Sequence, residues 1–444
     1  MKKLTAFLVC LIIFSLNGCK PNSNIGGSSS YKNNTDLIDS VISNIEQDIS
    51  EREQAGEITV TVEQEIISGS EYQDTLPDQA GKQNAVIDSD LNTKDIITVE
   101  PADVNTKGEK PLYYTYLTDI QKQIYKYMKT AAEQMTTGLF SIGAVRDGEN
   151  RFSDIAVSFR ALSADNPQLF WLPNSYILSP DGSSLAFSYA AKGADYLMSA
   201  EQKRQAQIRL TATLNSLVSQ ANKLSSRFEK ELFFHDWLCQ NVTYRDDGTE
   251  NIYTAYGALI NGSAVCEGYS RAMQLLCDSV GIPCTVVYGS SRGVGHMWNI
   301  VDAGDGWCHL DVTWDDDEKY NFIRHSYFNL TDSQILTDHS IFDTVKDGKH
   351  YVGSDDFNIR IFDCNSDTYN YFTKNNLIFD NDYSADAQMI SAAAQSGKTS
   401  IEVFYSGNNY DAFLQQVNIA LSESKATVQI NSYSYLGGSL VLWW

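Results

Sequence analysis

Cys266, His296 and Asp311 fall within one stretch of the chain, from Asn261 to Asp316. They are the three side-chain types a thiol nucleophile uses: the thiol, an imidazole to move its proton, and a carboxylate to hold the imidazole. A free thiol, with a pKa of ~8.5, is mostly protonated at neutral pH, and only the thiolate attacks efficiently. A cysteine in the first turn of a helix sits near unpaired N–H groups and the positive end of the helix dipole, which favours the thiolate. The same amides can receive the oxyanion of a tetrahedral intermediate, worth about 3–4 kcal/mol per donor in other enzymes.

The elements that must position these residues are readable around them. Val265, Tyr269, Met273, Leu276 and Val280 recur at helical spacing after Ser263, which occupies an N-cap position, and Gly281 and Pro283 stop the helix. Cys284 to Tyr288 is a short β-branched run. Ser290 to Gly295 reads as a Gly/Ser-rich loop without the Gly-Lys-Ser/Thr ending of a phosphate loop. His296 to Val301 and Trp307 to Trp314 are predicted as two strands turning at Ala303, Gly304, Asp305 and Gly306. Two registers fit that turn. One sets His296 opposite Asp311 and the other sets them on the diagonal; both keep the side chains on one face, roughly 5–7 Å apart at Cβ. Asp311 can then accept a hydrogen bond from the imidazole and set its tautomer, leaving the other nitrogen for Cys266. Taken singly, each residue has a structural alternative: a buried thiol, a satisfied histidine, a strand-end cap.

Asn261–Ser270 (NGSAVCEGYS), Gly295–Asn299 (GHMWN) and His309–Asp316 (HLDVTWDD) resemble the transglutaminase-like superfamily, most of all its bacterial members related to cytokinesis-type transglutaminase/protease proteins. The resemblance covers Phe233 to Asp316 and extends loosely back to Asp165–Trp171 and forward to Tyr327–Asp332. It implies a papain-like α+β core, in which a helix bearing the Cys packs on an antiparallel sheet bearing the His and Asp. Carried over, Cys266 is the nucleophile, His296 the general base and acid, and Asp311 the orienting carboxylate. The family's second oxyanion donor is often a side chain upstream of the Cys; Tyr256 is the candidate, with no motif to place it. Trp298, two residues from His296, either walls off the site or packs the core. The implied reaction is on amide bonds through an acyl-thioester. Water as acceptor gives peptidase or amidase activity, and an amine gives crosslinking. No cofactor and no metal are expected. The acidic run Asp315, Asp316, Asp317 and Glu318 lacks the alternating spacing of a calcium loop and reads as a solvated turn, and no zinc signature occurs.

The 444-residue chain carries a formal net charge of −23, which argues against nucleic-acid partners. Lys2 and Lys3 precede an apolar run, Leu4 to Leu16, too short to span a bilayer comfortably, as in an export signal. Leu16, Asn17, Gly18 and Cys19 then resemble the lipobox of bacterial lipoproteins. That resemblance implies cleavage after residue 18, lipidation of Cys19, and anchoring to the outer face of a bacterial membrane, at the cell surface or in the periplasm. A plain secretory signal is the alternative. Residues 19–110 are acidic, with Tyr31 and Tyr72 their only aromatics, and are read as a flexible tether, although Leu37–Ile49 has helical spacing and Glu57–Glu65 alternates like a strand.

Residues 111–225 are expected to be the helical N-terminal part of the folded region, 226–350 the catalytic core and 351–444 a small α+β accessory domain. Thr118 and Gln121 match a capping box. Helices are expected at Asp154–Ala164, Ala200–Ala221 and Arg227–Gln240, and a hairpin at Ser175–Ala190. On the helix from Arg227, Phe233, Trp237 and Leu238 share a face, while His235 and Asp236 fall opposite and read as surface or structurally satisfied. In the accessory part, Thr399–Tyr405, Thr427–Ile430 and Ser439–Trp443 read as strands and Asp411–Leu421 as a helix. Cys239, Cys266, Cys277, Cys284, Cys308 and Cys364 are expected to be mostly reduced and buried. The expected partners are a protein or peptide substrate, cell-wall peptides among the candidates, and a membrane through the lipid anchor. Two other readings stay open. One is an inert binding or scaffold lipoprotein; the other is a polysaccharide-binding surface built on Tyr369, Tyr371, Tyr433, Tyr435, Trp443 and Trp444.

Overall fold

The computed structural model describes residues 84–87, 96–101, 113–143, 150–173, 175–179, 181–187, 200–246, 251–317, 322–341, 363–407, 409–436 and 438–444. The expected export signal, Cys19, and the helix and strand expected at Leu37–Ile49 and Glu57–Glu65 lie outside them. The chain divides into two compact units, Met1–Gln73 with Ala200–Ser216 and Asp74–Ser199 with Leu217–Trp444. In the first, the described part opens a long helix on which Arg204 bonds Glu201. The second holds three four-stranded sheets and the candidate site.

The first sheet is built from β1 (Asn84–Ile87), β2 (Phe140–Ser141), β3 (Ser175–Leu178) and β4 (Ser184–Phe187), in the order β1-β3-β4-β2. β1 runs parallel to β3, and Ile97 bridges Phe140. The acidic stretch expected as a tether to residue 110 therefore contributes a strand and a bridge. Its short apolar runs, Ala85–Ile87 and Ile96–Val99, suffice for strand pairing despite the surrounding charge. Two helices cover this sheet region. α1 (Asp119–Glu133) starts on the expected capping box, with Thr118 Oγ1 accepting from the Gln121 N–H and Gln121 Oε1 accepting from the Thr118 N–H. α2 (Asn150–Asp165) ends before Pro167, and Asp165 accepts the N–H groups of Tyr113 and Tyr114 at 2.8 and 3.0 Å.

After α3 (Ala200–Ala221) and α4 (Arg227–Asn241), β5 (Thr243–Tyr244) pairs in parallel with β6 (Ser263–Ala264), and α5 (Cys266–Ser279) follows. Ser263 is thus spent in a strand pair rather than as the helix cap. Val265 is the N-cap, and its side chain makes no capping hydrogen bond. The central sheet has the order β12-β7-β8-β9, antiparallel throughout. Its strands are β7 (Cys284–Ser291), β8 (Val294–Asp302), β9 (Trp307–Leu310) and, at the edge, β12 (His339–Ile341), with the short pair β10 (Asp316–Asp317) and β11 (Phe322–Ile323) between. The expected loop Ser290–Gly295 is mostly strand. The chain reverses at Arg292 and Gly293, with φ of 51° and 84°, the left-handed pair that matches hairpin twist. The expected strand to Trp314 stops at Leu310, because Asp311 caps a helical turn, α6 (Val312–Asp315).

The third sheet, β13-β14-β16-β15, uses Ile378–Phe379, Ser400–Tyr405 (β14), Ser439–Trp443 (β16) and Ser432–Leu436 (β15), and packs on helices at Tyr383–Gln395 and Tyr410–Glu423 around Val403, Val417, Leu440 and Leu442. The strand expected at Thr427–Ile430 lies instead at Ser432–Leu436. The Ile430 backbone is engaged by the Asn418 amide, which accepts its N–H and donates to its carbonyl, so it is withdrawn from sheet pairing. The fold is α+β, as expected. Cys239, Cys266, Cys277, Cys284, Cys308 and Cys364 are free thiols, and all but the half-buried Cys239 are buried.

Candidate active site

Cys266 is the first residue of α5, and every residue from Cys266 to Cys277 is buried. The helix can start this deep because Gly268 lets the backbone of residues 252–254 lie against its first turn. A Cβ at Gly268 would stand 2.3 Å from the Ile252 carbonyl oxygen. Buried polar contacts then fix the helix on both sides. Ser270 Oγ lies 2.8 Å from the Cys266 carbonyl and 3.0 Å from that of Met297, and the Asn299 amide donates to the Ser270 carbonyl at 2.9 Å. These contacts set the spacing between the cysteine helix and β8. On the other side the Arg271 guanidinium bonds Glu267 and reaches the carbonyl and hydroxyl of Ser163, and Gln274 donates to the Ala164 carbonyl. The end of α2 is thereby a bracket for α5.

His296 stands on β8, and Asn299 pairs with Leu310 across to β9. This is the diagonal one of the two expected registers. It leaves Asp311 just past the end of β9, and the two oxygens of that carboxylate divide the work. Oδ1 accepts the N–H groups of Thr313 and Trp314 at 3.0 and 3.3 Å, capping α6. Oδ2 lies 2.6 Å from His296 Nε2, so the other ring nitrogen, Nδ1, is left for Cys266. Burial pushes the His296 imidazole down, but the Asp311 charge and hydrogen bond override it. With a further hydrogen bond to Cys266, they hold it at about 10. Burial works to raise Asp311, yet His296 and His339 hold its carboxyl well below the usual carboxylate range. An imidazolium beside a thiol is the partner a thiolate requires.

His339 was not among the expected site residues. It sits on edge strand β12, opposite Ser291, with Nε2 3.0 Å from the same Asp311 Oδ2 and Nδ1 2.7 Å from Asp338. Burial opposes its charge, but both carboxylates raise its pKa. The only hint in the sequence is an Asp-His pair just beyond the Thr331 capping box; nothing local says that the strand returns to Asp311.

Trp298 is fully buried and stacks near His296 with ring centroids 6.0 Å apart. Its indole N–H donates to His309 Nδ1 at 3.0 Å, and His309 Nε2 meets Asp332 at 2.9 Å, so both ends of the ring are fixed. Gly289, paired with His296, makes room for this indole. A Cβ there would stand 2.5 Å from the Trp298 ring and 2.2 Å from the Ser340 carbonyl oxygen. Trp314 lies edge-on to His296 at 6.2 Å, with the Arg292 guanidinium 4.1 Å over its ring. Tyr256 stacks on Phe170 at 4.8 Å, within the 165–171 region of the expected resemblance.

The described start of the acidic run, Asp315 and Asp316, is not the solvated turn expected. Asp315 is fully buried, accepting the Tyr327 N–H and meeting His235, and Asp316 accepts the Tyr269 hydroxyl. His235 is fully buried and met by Asp236 and Asp315, the structurally satisfied one of its two expected readings. Among the described residues every histidine is buried and meets a carboxylate. Three groups, His296/Asp311/His339, His235/Asp236/His325 and His309/Asp332/Cys364, each bring three ligand-type atoms within 4.8 Å of one another. Among the described residues no helix is long and apolar enough to cross a membrane.

Residues 215–312, which contain Cys266, His296 and Asp311, match the transglutaminase-like superfamily. The chain is 24% identical over 157 residues to the kyphoscoliosis peptidase of Mus musculus, spanning 30% of this chain and 24% of that protein. It is 23% identical over 126 residues to the Homo sapiens protein of the same name, covering 23% and 19% of the two. The chain thus spans less than a quarter of the length of these relatives. Among solved structures, a candidate cysteine protease from Cytophaga hutchinsonii overlaps 22% of this chain and 37% of its own, with 22% identity and a TM-score of 0.21. A TGase overlaps 32% and 42%, with 19% identity and a TM-score of 0.24.

Proposed function

We propose that this protein, through its transglutaminase-like domain, cleaves amide bonds in protein or peptide substrates by way of an acyl-thioester on Cys266. The observation that carries the reading is the 2.6 Å contact of Asp311 Oδ2 with His296 Nε2, which leaves the other imidazole nitrogen available to the Cys266 thiol at the first turn of α5. In this mechanism Cys266 and His296 rest as a thiolate–imidazolium pair, with the thiol proton held on His296 Nδ1, and the thiolate adds to the substrate carbonyl carbon. The resulting oxyanion is received by the first amides of α5. The imidazolium returns its proton to the leaving amine as the C–N bond breaks, giving the acyl-thioester. Water, deprotonated by the neutral imidazole, then releases the acid and restores the thiol. An amine in place of water would form a new amide by the same steps. Hydrolysis is the favoured outcome because water is the abundant acceptor.

The same reading places the protein outside the cell, tied to a membrane by acyl chains on Cys19, with cell-wall peptides within reach. Replacing Cys19 with Ala should move the protein from the detergent-rich to the aqueous phase on phase partitioning; unchanged partitioning refutes the anchor. For the chemistry, iodoacetamide labelling is followed site by site by mass spectrometry across pH. Cys266 should label faster than Cys239, with the advantage lost in His296→Ala, and Cys266→Ala should abolish hydrolysis of peptide substrates. A Cys266 that labels no faster than an ordinary thiol points instead to an inert binding or scaffold protein.

A further inference from the structure

A second cluster of titratable side chains is buried between α4, the segment 324–329 and β14. His235 and Asp236 lie on α4, His325 in the segment and Glu402 on β14, with Asp315 at the end of α6. Three atoms converge: Asp236 Oδ1 is 2.9 Å from His235 Nδ1 and 3.1 Å from His325 Nε2, and all three lie within 4.8 Å of one another. Each imidazole also has a carboxylate on its outward nitrogen. His235 Nε2 is 3.2 Å from Asp315 Oδ2, and His325 Nδ1 is 2.9 Å from Glu402 Oε2.

The outward carboxylates are themselves held in place. Both Asp315 oxygens accept the Tyr327 N–H, at 3.0 and 3.1 Å. Glu402 accepts from the His325 N–H at 3.1 Å and the Ser439 hydroxyl at 3.0 Å. The Tyr371 ring stacks flat on His325 at 3.7 Å.

The convergence of three ligand-type atoms fits two arrangements, a hydrogen-bond cluster and a ligand set. A ring with one proton can donate inward to Asp236 or outward to its own carboxylate, but not both. Protons alone satisfy all four contacts when both rings are imidazolium, their charge offset by Asp236, Asp315 and Glu402, or when an outer carboxyl carries a proton and donates it to its ring. A divalent cation at the convergence point satisfies the same contacts with one proton on each ring. Each ring keeps its outward N–H for Asp315 or Glu402 and turns its inward lone pair to the ion, the outer-carboxylate arrangement typical of metal-bound histidine. The separations of 2.9 and 3.1 Å from Asp236 Oδ1 to the two ring nitrogens correspond to angles of about 90° at an ion about 2.1 Å from each atom. Asp236 is one-third exposed, which leaves an entry path and an open coordination position on the solvent side. Cys239 Sγ lies 4.0 Å from the outward nitrogen of His235 and so stands outside the ligand set.

We propose that His235, Asp236 and His325 form a binding site for a divalent transition-metal ion of the zinc type, separate from Cys266 and its partners. Two imidazoles and one carboxylate suit such ions, whereas calcium and magnesium prefer all-oxygen sets. The bound ion would clamp α4 to the 324–329 segment and, through Glu402, to β14.

The test titrates the chelator-stripped full chain with Zn2+ by calorimetry and with Co2+ by visible absorption. One saturable equivalent per chain is expected, with about two protons released per ion as the rings give them up, read from buffers of different ionisation enthalpy. His325→Ala should abolish the saturable Co2+ band. Glu402→Gln, which keeps the shape of the outer partner, should weaken binding about 10- to 100-fold with the circular dichroism spectrum unchanged. His296→Ala and His339→Ala should leave the stoichiometry at one. The proposal is overturned by the absence of a saturable equivalent, by binding indifferent to His325→Ala, or by binding that disappears with His296→Ala or His339→Ala instead.

Discussion

Replacing Asp311 with Asn removes a negative charge from between two imidazoles while keeping the shape of the side chain. The helical turn should survive, because an amide oxygen can replace Oδ1 in accepting the Thr313 and Trp314 N–H groups. The NH2 group then faces His296 and His339, where Oδ2 accepted at 2.6 and 3.0 Å. A donor there forces His296 Nε2 to become an acceptor and places its proton on Nδ1, the nitrogen that takes the Cys266 proton in the proposed mechanism. The lost charge adds to the wrong tautomer. With charge centres about 4 Å apart and an effective dielectric near 20, the attraction is about 4 kcal/mol, roughly a thousandfold in the imidazole's proton affinity. That scale agrees with an imidazole held at about 10 against the pull of burial. Asp311→Asn should therefore reduce both alkylation of Cys266 and peptide hydrolysis at pH 7 by about a thousandfold, with an unchanged circular dichroism spectrum. Alkylation and hydrolysis within threefold of the parent rate would refute the reasoning.

The His296–Asp311 pair should also mark the pH dependence of stability. The raised His296 contributes fully below its unfolded pKa of ~6.5 and loses its contribution as pH climbs through about 10; the lowered Asp311 contributes fully above ~3.9 and loses its contribution on acidification. A double-mutant cycle with His296→Ala and Asp311→Ala in urea should give its largest coupling near pH 5.5 and little at pH 10.5; a coupling constant across that range would contradict the assignment. Arg271→Ala strands Glu267 and the Ser163 carbonyl in the interior, so unfolding free energy should fall by about 3–5 kcal/mol; a loss below 1 kcal/mol by denaturant titration would show that the bracket matters little. Gly289→Ala drives a methyl group into Trp298 and the Ser340 carbonyl, and should cost about 1–3 kcal/mol or more while slowing Cys266 alkylation. A stable Gly289→Ala protein with normal alkylation would separate the indole from the site.

Local chemistry made Cys266, His296 and Asp311 legible as candidates. Helical spacing after Cys266 and the Gly-rich turn at residues 303–306 act through neighbouring residues, and strand alternation carries the side-chain parity of His296 and Asp311 across a short hairpin. The capping box at Thr118 and the helix starting at Arg227 were readable for the same reason. Contacts between distant segments were not. His339 reaches Asp311 only because β12 returns to the edge of β7, and nothing within the 331–341 segment encodes that pairing. Asp315 reads as solvated because charge suggests exposure, but the fold supplies it with buried partners from other elements, His235 and the Tyr327 N–H, and those partners compensate the loss of water. Ser263 looked like a helix cap until pairing with Thr243 claimed it. Sequence by itself determined which side chains could do chemistry and the local periodicity that presents them. Tertiary structure alone decided which of them meet, because burial and long-range pairing depend on segments scores of residues apart closing on the same core.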